Sequence, residues 1–159
     1  MRSQLSFLLT SGLGLLGACA GTPAAPPASE LPATLEARAY SDLGGVEHSL
    51  LAADSAGTVL VFWQPWCQSC LAEAPALASA ARSHVDWRFF GVVSGADGDV
   101  LDHEVAQVAE DHGMPYPTLR DRDLSLCEGL GVQSTPTLIV LSADGRVLHR
   151  GEHLPAGGL

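Results

Sequence analysis

The sequence of 159 residues contains no lysine, and all eight of its basic residues are arginines. Eighteen acidic residues oppose them, so the formal net charge is -10. A surface of that sign repels phosphate backbones, which argues against nucleic-acid binding. The hydrophobic content of 47% and the mean hydropathy of +0.19 exclude a chain that is disordered throughout. The length fits one globular domain and a short extra segment.

The sequence also lacks an N-terminal apolar run of the roughly 20 residues that a membrane span needs. A shorter uncharged run follows the positive charge of Arg2, in the order typical of a secretory signal. It ends in Leu16-Gly17-Ala18-Cys19, which is similar to the lipobox of bacterial lipoproteins. Residues 1–18 are therefore predicted to be a signal peptide, and Cys19 a lipidated anchor. Cleavage after Ala20 is the alternative, and it would remove Cys19.

Residues 19–34 are rich in proline and alanine and contain few large apolar side chains, which predicts an extended tether. The folded domain is then predicted over residues 35–159. A lipid-anchored protein of this kind would lie in the periplasm or another extracytoplasmic compartment, and Ala20 after the cysteine resembles an outer-membrane destination. The negative net charge argues against attachment to anionic lipid by charge alone, so the covalent lipid would hold the protein.

The order of strands and helices predicts an α/β domain. The apolar segment 58–63 is typical of a strand buried on both faces of a mainly parallel sheet. A helix at 68–83 and a strand at 86–94 follow it and complete a βαβ unit. The other predicted elements are a hairpin at 36–40 and 46–50, a helix at 99–112, a strand at 116–119, a helix at 125–130, and a hairpin at 137–141 and 146–149. This order belongs to a three-layer sandwich with a mixed central sheet.

Cys67 and Cys70 form a C-x-x-C motif where the buried strand ends and the helix 68–83 begins. No second pair completes the four ligands of a zinc site, so no metal is expected. Unpaired N–H groups and the helix dipole should favour the Cys67 thiolate, which is the expected nucleophile. Cys70, one turn later, is placed to resolve a mixed disulfide. An inert structural disulfide is the alternative.

Three segments carry a resemblance to a known family. They are Val59–Pro75, Tyr116–Asp121 and Gly131–Thr137. Together they resemble the thioredoxin-like fold, specifically the exported TlpA/ResA-like thiol-disulfide oxidoreductases, from about residue 35 to the end. The resemblance implies that Pro136 is cis and lies against the cysteines, and that Thr135 contacts an extended substrate peptide. Trp66 is expected to form the rim that covers Cys67.

Glu73 is a further candidate catalytic residue. The family's C-x-x-C-x-x-E-x-P pattern is met by Cys67, Cys70, Glu73 and Pro75. A carboxyl group partly removed from water holds its proton more tightly, which would let Glu73 exchange protons with Cys70. Thioredoxin itself keeps a buried aspartate six residues before its first cysteine, and Val61 stands there in this sequence. A solvated helix glutamate is the alternative.

The resemblance implies a reductase without a cofactor that acts on protein thiols, among them apocytochrome c during cytochrome c maturation or oxidised proteins. A membrane thiol carrier would supply its electrons. An oxidising direction stays open, because Gln68 and Ser69 do not fix the reduction potential. A copper-binding module that uses Cys67 and Cys70 is an alternative. A thiol peroxidase is the least favoured, because Gln64 replaces the hydroxyl residue that holds peroxide.

Two features lie outside this motif. Cys127 is predicted to be an unpaired buried cysteine, with a regulatory disulfide as the alternative. Residues 151–159 are predicted to be a loop, so the last helix of the thioredoxin-like fold is apparently missing. Either the sequence is truncated there, or one apolar face of the sheet is uncovered; an uncovered face would promote aggregation, so poor solubility is expected.

Overall fold

The computed structural model describes residues 28–159, and the predicted signal peptide, Cys19 and most of the predicted tether lie outside them. Its elements are α1 (Ala33–Glu36), β1 (Ala39–Ser41), β2 (Glu47–Ser49), β3 (Gly57–Phe62), α2 (Gln68–Ser83), β4 (Trp87–Ser94), α3 (Asp102–Asp111), β5 (Thr118–Asp121), α4 (Ser125–Gly129), β6 (Thr137–Ser142) and β7 (Val147–Gly151). The mixed α/β fold that the sequence predicts is confirmed.

The central sheet has the strand order β5-β4-β3-β6-β7. β3 pairs in parallel with β4, and β4 with β5. β6 is antiparallel to both β3 and β7. β1 and β2 form a separate antiparallel hairpin. The parallel half of the sheet therefore carries the helical crossovers, and the antiparallel half is a hairpin, as the sequence predicts.

β3 is buried on both faces and divides the core. Its alternate side chains point to opposite faces of the sheet, as in any strand. Leu60 and Phe62 pack on the side of α1 and α4, in a cluster with Leu126 and Leu130. Val59 and Val61 pack on the opposite side, in a cluster with Leu77 of α2. The domain is therefore a three-layer sandwich with the sheet in the middle.

The end of the predicted tether packs on this domain. Leu31 is 5% exposed and belongs to the cluster on the α1 and α4 side, together with Leu35, the first residue of the predicted domain. Leu31 N–H also donates to Gly145 O at 2.7 Å. The folded unit therefore includes residues before position 35, where the sequence places the boundary. Helix α1 is not predicted by the sequence, which assigns Glu36 to a strand.

Several boundaries differ from the predicted ones by a few residues. The hairpin strands are shorter than predicted, and α3 begins at Asp102 rather than at residue 99. β5 begins at Thr118 rather than at Tyr116, because its pairing with β4 runs from Gly91↔Thr118 to Ser94↔Asp121. Pro117 has no N–H to donate to a strand partner, which fits its place just before the strand.

The residues after β7 form no helix but lie against the α2 side of the sheet. Leu154 and Leu159 pack on the cluster that contains Val59, Leu77 and Leu138. Two leucine side chains thus contact the face that the sequence analysis expects to be uncovered. The expected poor solubility stays a prediction.

Candidate active site

The first cysteine of the motif lies at the start of the longest helix of residues 28–159. A short loop leads from β3 to Cys67, the N-cap residue of α2. The N–H of Cys70 donates to Cys67 Sγ over 3.3 Å, so the sulfur takes the place of a capping oxygen. Unpaired N–H groups and the helix dipole favour a negative charge at this end. The position therefore stabilises the thiolate form of a reduced Cys67.

The two cysteines are joined by a disulfide bond, with their Cα atoms 5.2 Å apart. Cys67 is half-buried, whereas Cys70 is only 3% exposed. Cys70 packs in a third cluster with Trp63 and Val105, beneath the surface. A thiol or disulfide that arrives from solvent therefore reaches Cys67 first, and Cys70 is accessible mainly to Cys67.

The predicted proline loop lies at the same edge of the sheet as the motif. In the antiparallel β3–β6 pair, Phe62 is opposite Thr137, so the chain just before β6 adjoins the loop after β3. The Thr135–Pro136 peptide bond is cis, as the resemblance implies. Pro136 is buried and Thr135 is half-buried. The topology thus brings Thr135 and Pro136 to the sheet edge where α2 begins.

Trp66 is 61% exposed, the largest exposed aromatic surface beside the motif. It borders a groove of about 580 Å³ whose other wall is the part of α3 from His103 to Val108. The groove is mostly apolar, with Glu104 and His103 among its polar lining. The indole therefore lines this groove, and its expected role as a rim that covers Cys67 stays a prediction.

Glu73 lies on α2, three residues after Cys70 and on the same side of the helix. Its side chain is 26% exposed, and its Oε1 is 2.9 Å from Nδ1 of His153. Val61, where thioredoxin keeps an aspartate, is 3% exposed and packs among apolar residues. In residues 28–159, Glu73 is therefore the carboxyl group that follows Cys70 on its own helix face.

Two contacts of the site are not predicted by the sequence. Ser69 Oγ lies 3.5 Å from Cys67 Sγ, within reach of a weak hydrogen bond. Its position inside the motif is a signal that could have pointed to this contact. His153 is eighty positions from Glu73. Only the path of the chain after β7 brings the two together, and no local pattern marks it.

Cys127 is a free, half-buried cysteine, in accordance with the prediction of an unpaired thiol. Its Sγ donates to Leu124 O at 3.3 Å, and burial raises the pKa of the thiol above its ordinary value. Cys127 and Thr135 line one cavity of about 250 Å³ on the α4 side of the sheet. A protonated thiol on the face opposite α2 fits a packing role.

The described residues 28–159 contain no group of three or more histidine, cysteine or acidic side chains arranged to hold a metal ion. Among the helices of the same residues, none combines the length and the apolar content needed to cross a membrane. Cys19, the predicted lipidation site, lies outside this part of the chain.

The fold and the disulfide at the start of α2 define a thioredoxin-like domain with a C-x-x-C site. Residues 20–155 match the Redoxin family, which is most of the chain. The protein therefore belongs to the Redoxin family.

Curated relatives share part of the sequence. The soluble secreted antigen MPT53 of Mycobacterium tuberculosis is 31% identical over 87 residues, which cover 55% of this chain and 48% of MPT53. The thiol-disulfide oxidoreductase ResA of Bacillus anthracis is 26% identical over 111 residues, which cover 69% of this chain and 62% of ResA. The chain thus spans about half to three fifths of the length of these relatives.

Solved structures share the fold. The structure of MTB dsbF in its mixed oxidized and reduced forms has a TM-score of 0.65 and 28% sequence identity, over 79% of this chain and 90% of dsbF. A secreted Mycobacterium tuberculosis disulfide oxidoreductase homologous to E. coli DsbE has a TM-score of 0.63 at 24% identity, over 79% of this chain and 88% of that one. The second similarity, at that identity, concerns the fold alone.

Proposed function

We propose that this protein is an extracytoplasmic thiol-disulfide oxidoreductase that reduces disulfide bonds of other proteins. One observation carries the proposal: the Cys67 sulfur caps the first turn of α2 and is bonded to a buried Cys70. The name of ResA, thiol-disulfide oxidoreductase, supports the same reaction. The secreted relative MPT53 supports an extracytoplasmic location.

The reaction begins with the reduced protein. The Cys67 thiolate attacks one sulfur of a substrate disulfide, a mixed disulfide forms, and the first substrate thiolate leaves. Cys70 then loses its proton and attacks Cys67 Sγ, which releases the second substrate thiolate and leaves the Cys67–Cys70 disulfide. Two electrons pass to the substrate in each cycle. A thiol donor, in our proposal a carrier in the membrane, returns them.

Glu73 is proposed to take the proton that Cys70 must lose in the second step. The carboxyl group lies on the same face of α2 as Cys70 and is three quarters removed from solvent. The thiol of Cys70, at 3% exposure, has little water to accept its proton. A base on its own helix face meets that need, because a buried thiol reacts only after deprotonation.

Trp66 and the loop with Thr135 and Pro136 are proposed to hold the substrate. The loop lies at the sheet edge beside the motif, where its backbone can pair with an extended peptide. The exposed indole of Trp66, the residue before Cys67, offers further apolar surface. Apocytochrome c, or other proteins whose cysteines have been oxidised, are the substrates that this arrangement would serve.

The reduction potential of the Cys67/Cys70 pair tests the direction of the reaction. We expect a value near the roughly -270 mV of thioredoxin, measured by equilibration with glutathione buffers. A value near the roughly -120 mV of DsbA would instead show that the protein acts as an oxidase.

The insulin assay tests the role of Cys67. Reduction of insulin disulfides should stop in Cys67→Ala and continue in Cys127→Ala, the matched control. If the reduced protein bound copper tightly and stoichiometrically but did not reduce insulin, the proposed oxidoreductase activity would be wrong and a copper-binding module would be favoured.

Substrates can be captured with the Cys70→Ala variant. Without the resolving sulfur, the mixed disulfide on Cys67 should accumulate and identify its partner. Cys67→Ala, the control, should trap no protein.

A lipid on Cys19 is proposed to anchor the protein, and Leu16-Gly17-Ala18-Cys19 supports this. Metabolic labelling with palmitate in a bacterial host should mark the protein and place it in the membrane fraction. Cys19→Ser should lose the label, whereas Cys127→Ser should keep it. If the wild-type protein carried no palmitate label and lay in the soluble fraction, cleavage after Ala20 would be supported instead.

A further inference from the structure

The segment after β7 brings a histidine to the proposed proton acceptor. Nδ1 of His153 lies 2.9 Å from Oε1 of Glu73, which is hydrogen-bonding distance. Glu73 is 26% exposed, whereas His153 is 68% exposed. The imidazole therefore connects a largely enclosed carboxyl group with bulk water.

The position of His153 is fixed by contacts on both sides. His149 of β7 contacts the main-chain oxygen of His153 through Nε2, at 2.9 Å. The next residue, Leu154, packs on the cluster that contains Leu77 of α2. One contact holds the segment to β7, and the other holds it to the apolar cluster on the α2 side of the sheet. The ion pair is thus part of a packed surface rather than an isolated contact of two long side chains.

We propose that His153 is a positioning residue that orients Glu73 and passes its proton to solvent, an inference that rests on the proposed function. Before Cys70 attacks, its thiol proton moves to the Glu73 carboxylate. Glu73 then gives that proton to Nδ1 of a neutral His153, and the imidazolium releases a proton to water, so the proton does not return to Cys70 before its thiolate attacks Cys67 Sγ. Glu73 is again a carboxylate, ready for the next cycle, and no electron moves through His153.

The imidazole suits this task because one of its ring nitrogens can accept a proton while the other carries one. Two other titratable residues lie next to His153: His149, whose Nε2 contacts its main-chain oxygen, and Glu152, the residue before it in the chain. Among the ion pairs of residues 28–159, the one with His153 is the only one that Glu73 makes. His153 is therefore the single basic side chain bonded to the proposed acceptor in this part of the chain.

Stopped-flow reaction of the reduced protein with less than one equivalent of Ellman's reagent separates the two chemical steps. The first nitrothiobenzoate is released when Cys67 attacks, and the second when Cys70 resolves the mixed disulfide. All variants carry Cys19→Ser and Cys127→Ala, so that neither of these two thiols reacts. We expect His153→Ala to leave the first release unchanged and to slow the second by roughly 10-fold or more at pH 6.5.

Added imidazole should restore the second release in His153→Ala, because it can accept the proton in place of the missing side chain. A purely structural role of His153 would give no such rescue. Glu73→Gln should slow the same step and should gain nothing from imidazole. The double variant should be no slower than Glu73→Gln. His112→Ala, which removes an exposed histidine at the end of α3, is the matched control and should behave like the parent.

The outcomes separate this inference from the proposed function. A first release no faster than that of glutathione would overturn the oxidoreductase and the relay together. A normal first release with an unchanged second release in His153→Ala would overturn the relay alone. The relay would also be overturned if the slowing of the second release in the double variant were the product of the two single effects. The same holds if imidazole did not restore the second release in His153→Ala.

Discussion

Asp42 holds the turn between β1 and β2. Its Oδ1 accepts from the N–H groups of Gly44 at 2.8 Å and Val46 at 2.9 Å, and its Oδ2 lies 2.8 Å from Nε2 of His48. Burial raises the pKa of Asp42, but the hydrogen bonds from His48, Val46 and Gly44 outweigh it, and the pKa lies below its ordinary value of 3.8. Gly45, at φ +80°, supplies the left-handed residue that the turn requires.

Replacement of Asp42 by asparagine should reveal how much the carboxylate contributes to the free energy of unfolding, because that contribution depends on pH. The variant keeps an acceptor for the turn but loses the charge. Because the pKa is lower in the folded than in the unfolded protein, the carboxylate stabilises the fold above pH 4 or so, and the effect disappears as the pH falls through the folded pKa. We expect wild type to exceed Asp42→Asn by on the order of 1 kcal/mol in the free energy of unfolding near pH 6.

Urea unfolding at several pH values measures this difference. The gap between wild type and Asp42→Asn should shrink as the pH falls toward 3 or so. The exposed Asp54 provides a control, since Asp54→Asn should show no such trend. A gap of constant size over the whole range would contradict the assignment to this carboxylate.

Residues with local signals were predictable, and residues defined by distant contacts were not. Cys67 and Cys70 are marked by their spacing and by the strand before them. Arg120 resembles a surface residue in sequence, yet its side chain is fully buried and its Nε lies 2.6 Å from Asp102 Oδ1. His153 is likewise defined by a partner on another element. Such contacts depend on how the helices and strands pack together. The neighbours of a single residue in the sequence do not specify that packing.

At the scale of elements, long periodic segments were predicted best. α2 runs over Gln68–Ser83, the range that the sequence predicts, and it continues through Pro75. β3 differs from its prediction by one residue at each end. Both segments have a strong apolar pattern, and the helix is rich in alanine, which favours helix formation. The two elements that carry the motif were therefore the most predictable part of the fold.

Short elements depend more on tertiary contacts. α1 has only four residues, too few to form without a partner, and Leu35 packs it on the core. α4 is held at its start by buried Asp121, which accepts from the N–H groups of Leu126 and Cys127, each at 2.9 Å. The acceptor thus comes from the end of β5 rather than from an N-cap residue next to the helix. A pattern within α1 or α4 alone contains neither contact.

At the scale of the whole molecule, the order of layers was predictable but the cover of one face was not. The alternation of strands and helices predicts the sandwich. Leu154 and Leu159 contact the α2 side of the sheet without forming a helix, so no helical pattern marks them. The same segment contains His153, which makes the covering of this face and the contact to Glu73 one structural feature.

The net charge of -10 is also a property of the whole molecule, and it should select among substrates. The negative electrostatic potential of a protein with excess acidic groups attracts cationic partners to its surface and repels anionic ones. The groove beside Trp66 includes Glu104, so an acidic side chain also lines the groove next to the residue that precedes Cys67. The expected effect is on the rate of encounter rather than on the chemistry at Cys67.

Two peptides with the same internal disulfide, one flanked by arginines and one by glutamates, test this expectation. At roughly 10 mM salt, we expect kcat/KM to be about 10-fold or more higher for the arginine peptide. The two values should converge at roughly 500 mM salt, where the screening length falls to a few ångströms. The kcat/KM for hydroxyethyl disulfide, which is uncharged, should not depend on salt.

Two variants test the place of Glu104. Glu104→Gln removes a charge beside the groove and should reduce the difference in kcat/KM between the two peptides at low salt. Asp54→Asn removes an exposed charge outside the groove lining and should reduce that difference less. Equal rates for the two peptides at low salt would show that the charge of the protein does not guide its substrates.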